Sequence, residues 1–172
     1  MKADGIIDDY AVAGAVGAIF YVEPFSTEDV DVLVNFGSAK SLLVSLEPIL
    51  EYLKSHGYTE FEHGAVVIEG WPVQFLPVSD DLTRDALTTA QRIKYDDTLS
   101  VRVLRPEYLA AEAVKVGRPK DLQRISLLLE NESFNRQSFE DILRVHRLEQ
   151  KWTGIAQMLQ INSDRQNRGL HR

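Results

Sequence analysis

Val12-Ala13-Gly14-Ala15-Val16-Gly17-Ala18, followed a short way on by Thr27-Glu28-Asp29-Val30-Asp31-Val32-Leu33-Val34, is the stretch that decides how this chain is read. Alternate residues of an extended strand point to the same face, so Asp29 and Asp31 present their carboxylates together. Two carboxylates side by side can grip a divalent cation from one direction. The β-branched and apolar residues after them, Val32 to Val34, place the pair on a buried strand. The segment from about Tyr10 to Phe20 is rich in Ala and Gly, which suits a short, closely packed helix better than a strand. A helix, a turn and a strand bearing two acids is an arrangement suited to a nucleoside triphosphate and its Mg²⁺.

The rest of the chain sets limits on that reading. It has 172 residues, 44% hydrophobic and 26% charged, as expected of one compact domain with a terminal appendage. A net charge of −7 argues against broad attraction to nucleic acid or anionic membrane. Cysteine is absent, which removes disulfides and thiolate metal sites and fits a reducing cytoplasm. No apolar run is long enough to span a bilayer, and Met1-Lys2-Ala3-Asp4 does not resemble a secretion signal, so a cytoplasmic protein without membrane contact is expected. His56, His63, His146 and His171 are scattered, with no two at a ligand spacing.

Helical spacing runs through Leu42, Leu43, Leu46, Ile49, Leu50 and Leu53, predicting a helix over 39–56, kinked or divided at Pro48 and closed by Gly57. Ala65–Glu69 and Val73–Pro77 read as a hairpin joined by Gly70-Trp71-Pro72, with Trp71 covering core. Helix is expected from Leu82 to Gln91, strand from Ser100 to Leu104, and helix again from Pro106 to Val116 and from Leu122 to Glu130. Ser138 with Asp141 suggests a capping box for one last helix ending near Leu159. There Leu148, Trp152, Ile155, Met158 and Leu159 form an apolar stripe that a second copy or a partner protein could cover. Residues 162–172, with Arg165, Arg168, His171 and Arg172, read as a flexible basic tail able to touch RNA or a partner.

Three blocks in this order resemble the minimal nucleotidyltransferase superfamily, in particular bacterial AbiEii-like proteins. The first is Gly14-Ala15, a spacer, and Thr27-Glu28-Asp29-Val30-Asp31. The second is Leu82-Thr83-Arg84-Asp85-Ala86-Leu87 with Val101-Arg102-Val103 and Arg105-Pro106-Glu107-Tyr108-Leu109. The third is Gly117-Arg118-Pro119-Lys120-Asp121-Leu122. The resemblance implies an α+β fold, a nucleotidyltransferase-like mixed β-sheet packed with helices, over residues 1–130. A helical C-terminal part, 131–161, would follow.

It further implies Mg²⁺ held by Asp29 and Asp31 against the triphosphate, with Gly14, Ala15 and Thr27 at the phosphate turn. Arg118 and Lys120 are candidate phosphate contacts, and Asp121 a structural partner. The implied reaction transfers a nucleoside monophosphate to a hydroxyl of a protein, an RNA or a small molecule. This sequence departs from the family pattern in four places. Gln74 stands where a third acid is usual, with Glu69 as a substitute only if the hairpin register differs. Ala113 stands where relatives carry lysine, Ala15 replaces Gly or Ser, and Arg124 occupies an often acidic place. Those departures leave a second expectation open: a catalytically degenerate fold serving as a binding or antitoxin-like regulatory module.

Overall fold

The computed structural model describes residues 1–36 and 45–169, with side chains through Leu159. It divides into two compact units, Met1–Arg105 and Pro106–Arg172.

The first unit is built on a seven-stranded mixed sheet of order β3-β4-β5-β2-β1-β7-β6. In chain order it runs β1 (Asp9–Val12), α1 (Gly14–Ile19), β2 (Val30–Asn35), α2 (Glu47–Ser55), β3 (Phe61–Glu62), β4 (Ala65–Ile68), β5 (Trp71–Pro77), α3 (Asp81–Thr88), β6 (Gln91–Lys94) and β7 (Ser100–Val103). At its centre β2 pairs antiparallel with β1 and parallel with β5. Strand alternation divides β2 into two faces. Val32 and Val34 join Ile49 and Leu53 of α2, Val66 and Phe75 in one apolar cluster. Asp31 and Leu33 belong to the opposite face, the side on which buried Ala11 pairs with Leu33.

Several expectations change in this unit. The Ala- and Gly-rich segment is not helical throughout: Asp9–Val12 is strand β1, and only Gly14–Ile19 is helix. Small residues are tolerated in β1 because it is a central strand, covered by neighbours on both edges, and Ala11 is fully buried there. Pro48 does not kink a long helix. It lies in the first turn of α2, where its missing N–H costs nothing. Residues 37–44, including Leu42 and Leu43, lie outside the described residues.

The hairpin forms as expected, but its turn is Glu69-Gly70, both left-handed at φ +51° and +83°. Trp71 therefore opens β5 and is 57% exposed rather than covering core. Asp80 caps α3 in a capping box with Thr83, whose amide donates to Asp80 Oδ1 at 2.9 Å. The expected end of that helix is instead strand β6, antiparallel to β7. Away from the acidic pair, Asp9 binds Lys2 Nζ at 2.7 Å and Arg102 Nη2 at 3.1 Å. Burial alone would raise its pKa, but the Lys2 hydrogen bond and the Arg102 charge outweigh burial and hold the carboxyl below its ordinary value.

The second unit is helical: α4 (Pro106–Val116), α5 (Pro119–Glu130), α6 (Arg136–Val145) and α7 (Glu149–Gly169). The expected single terminal helix is thus two. Asn135, not Ser138, is the N-cap of α6, accepting from the Ser138 amide at 2.9 Å. Arg147, left-handed at φ +57°, separates α6 from α7. Ile155 is buried and Trp152 meets Phe139 edge-on at 5.2 Å, but Met158 is exposed, so the apolar stripe is only partly used. The backbone of residues 162–169 belongs to α7. No helix among the described residues is long and apolar enough to cross a membrane.

Candidate active site

Asp31 is the second residue of β2, and Asp29 stands one residue before the strand begins. Alternation sets Asp31 on the face opposite the α2 cluster, while Asp29 precedes the strand. The β1–β2 ladder continues one step past β1, with the Ala13 amide donating to the Asp31 carbonyl at 2.8 Å. The chain must then turn abruptly into α1, and Gly14 makes that turn at φ +57°. A Cβ built on Gly14 would lie 1.9 Å from Asp31 Oδ2 and 2.7 Å from its Cγ. The carboxylate of Asp31 thus occupies the space that any side chain at 14 would need. That close approach is the strongest geometric signature of the site.

Ala13, the N-cap of α1, has no side chain able to cap the first turn, and Ala15 is buried behind it. Thr27 holds the other acid: its hydroxyl donates to the Asp29 carbonyl at 3.2 Å and reaches Asp29 Oδ1 at 3.4 Å. Beside them, the parallel β2–β5 register sets Gln74 directly opposite Asp31. Paired residues of adjacent strands project to one face, so Gln74 shares the face of Asp31. The next pair on that face is Leu33 with Leu76, which contributes only hydrocarbon. Glu69 is not a substitute. It sits in the hairpin turn, where it accepts a 2.6 Å hydrogen bond from Tyr58 and raises the pKa of that phenol.

The remaining expected residues belong to the second unit. Arg118 is the N-cap of α5, and its guanidinium holds Asp121 through Nε at 2.9 Å and Nη2 at 3.3 Å. Asp121 also accepts from the Arg118 amide at 3.0 Å and lies 3.7 Å from Arg124 Nη1. Asp121 is fully buried, as a structural acid should be, and Arg124 is nearly so. Lys120 is exposed in the first turn of α5, and Ala113 is packed into the core of α4. Lys151 carries no local sequence signal of its role. Its ammonium caps α4 by donating to the carbonyl of Lys115, with that of Val116 3.5 Å away. No spacing rule links positions 36 residues apart, so only folding could reveal it.

Carboxylate and amide oxygens, as on Asp29, Asp31 and Gln74, are hard donors of the kind that Mg²⁺ takes. Among the described residues no group of three His, Cys, Asp or Glu could hold a metal ion.

The seven-stranded mixed sheet and its helices form an α+β fold that matches a nucleotidyltransferase-like one. The comparisons agree at the level of the fold. Six solved chains match, among them an antigenic nucleotidyltransferase-like protein from Paracoccidioides brasiliensis, with a TM-score of 0.50 and 16% identity. The match covers 88% of this chain and 84% of that one. No family model and no curated protein matches the sequence.

Proposed function

We propose that this chain is a Mg²⁺-dependent nucleotidyltransferase-like protein that binds a nucleoside triphosphate and transfers its nucleoside monophosphate to a hydroxyl acceptor. What supports the reading most is the contact between Gly14 and Asp31, which brings the α1 turn against a carboxylate. Asp29 and Asp31 would hold Mg²⁺, with Thr27 fixing the orientation of Asp29. When bound there, the ion neutralises charge on the triphosphate and on the departing pyrophosphate. Gly14 has no side chain, and Ala15 only a methyl, to keep phosphates away from the backbone of the turn.

In the reaction the acceptor oxygen forms a bond to the α-phosphorus while the bond to the pyrophosphate oxygen breaks. The hydroxyl proton leaves to solvent, because the Gln74 amide can orient the hydroxyl but cannot take its proton. The order of the three sequence blocks favours the AbiEii-like group, and the absence of cysteine suits a cytoplasmic protein. Calorimetry with Mg-ATP and Mg-GTP tests the assignment. Wild type should bind one of them and Asp29→Ala should not; equal affinity in the two proteins refutes the metal role.

A second reading draws on Gln74 and on the buried Ala113: a degenerate site kept as a binding or antitoxin-like module. Incubation with labelled nucleotide and lysate separates the two. Label transfer that needs Asp31 favours the enzyme, and a stable protein complex without transfer favours the module.

A further inference from the structure

The two edges of the sheet carry opposite charge. β3 bounds one side and β6 the other, and among the described residues neither has a strand on its outer side. The β3 edge reads Glu60-Phe61-Glu62 and the β6 edge Arg92-Ile93-Lys94, all exposed except the partly buried Ile93. Phe61 is 59% exposed, although it pairs with Val66 on the face of the apolar α2 cluster. Ile93 shares that face, by the pairings that lead through β7 and β1 to Val32. The charges are held only by exposed contacts, Lys94 to Asp97 at 2.8 Å and Glu62 to His63 at 3.6 Å, which compete weakly with a partner.

Strand direction and backbone phase match as well. Followed across the sheet, the pairings make β3 and β6 both run in the direction of β2. The Val67 amide donates to the Glu60 carbonyl at 2.9 Å, so alternation along the ladder turns the N–H and C=O of Phe61 outward. The Tyr95 amide donates to the Leu99 carbonyl at 2.9 Å, so Arg92 and Lys94 turn theirs outward on the other edge. A parallel ladder bonds a residue to the two that flank its opposite number. Phe61 set opposite Ile93 would donate to the Arg92 carbonyl and accept from the Lys94 amide. That register places Glu60 beside Arg92 and Glu62 beside Lys94, and it covers Phe61 with Ile93. Like edges are kept apart, because β3 on β3 or β6 on β6 brings equal charges together.

We propose that the sheet continues from one copy of this chain into the next, with β6 of one copy receiving β3 of the other in parallel. Such a contact is heterologous, so it leaves an open edge at each end and builds rings or chains larger than a dimer. It is independent of the nucleotide site proposed above. Each chain carries a net charge of −7, so assembly works against overall repulsion and needs concentrated protein.

Sedimentation velocity of the full chain over a rising concentration series tests it. Wild type should pass from monomer to species beyond a dimer. Arg92→Glu with Lys94→Glu should stay monomeric at about tenfold the concentration at which wild type assembles, and so should Glu60→Lys with Glu62→Lys. Mixing these two double variants restores opposite charges at every contact and should restore assembly, which damage to the fold cannot do. A monomeric wild type, a plateau at dimer, assembly unaltered by either reversal, or a mixture that stays monomeric overturns the inference. Should a double variant fail to fold, the wild-type series and loss of assembly in Phe61→Ser decide it, and assembly retained in Phe61→Ser overturns it. A monomeric wild type that captures a synthetic Glu-Phe-Glu peptide also overturns it and gives the β6 edge to a foreign acidic strand.

Discussion

Gly14 and Gly117 both turn the chain in the left-handed region, at φ +57° and +74°, and both turns are secured by an aspartate. In the helical unit, Asp121 answers the turn completely. It takes the Arg118 amide and guanidinium, lies near Arg124 and is shut off from solvent. In the sheet unit, Asp31 is half-buried, wedged where a Gly14 side chain would stand, with an amide opposite. The same ingredients thus serve two purposes. An acid ringed by intramolecular cations stabilises a joint. In the function proposed above, Asp31 would instead hold an external cation.

That contrast can be broken at either end. The largest effect should come from Asp121→Ala, which removes the carboxylate shared by Arg118 and the buried Arg124. Denaturant unfolding should show a loss of about 3 kcal/mol, and a loss below 1 would make the joint dispensable. Gly14→Ala should follow at about 2 kcal/mol, since the methyl is strained at this φ and must displace Asp31. The same variant should lose nucleotide binding; retained binding would show that Asp31 is not set by the glycine.

Asp31→Asn sharpens the contrast by separating stability from function. Its melting temperature should stay near wild type, while affinity for Mg-nucleotide should fall at least tenfold, about 1.4 kcal/mol. The smallest change is expected at Asp9, remote from both turns. Its depressed pKa means that its contribution is complete above its ordinary value of 3.8 and is lost as pH falls through the lower folded value. Asp9→Asn should thus cost about 1 kcal/mol at pH 7 and flatten the acid limb of the stability profile. An unchanged acid limb would mean that the Lys2 and Arg102 contacts contribute nothing.

Much of the central sheet was legible because β-branched runs bounded by Gly and Pro announce strands, as in Val30–Val34, Ala65–Ile68 and Val73–Pro77. β1 was not, since the Ala- and Gly-rich residues that follow hide the short run Asp9-Tyr10-Ala11-Val12, which pairs with β2 and β7. The break between α6 and α7 was hidden for a related reason. His146 and Arg147 are ordinary helix residues, and the reversal there depends on a left-handed Arg147.

By itself the sequence determined the acidic pair, its place at the head of a buried strand and the glycine before it, since spacing and residue chemistry are local. It also determined that residue 74 is an amide. Tertiary structure alone decided that Gln74 faces Asp31, that Glu69 is spent on Tyr58, and that Asp121 is enclosed while Asp31 is not. Those facts concern which side chains meet across strands and helices, and pairing between distant segments is set by register and packing, not by order along the chain.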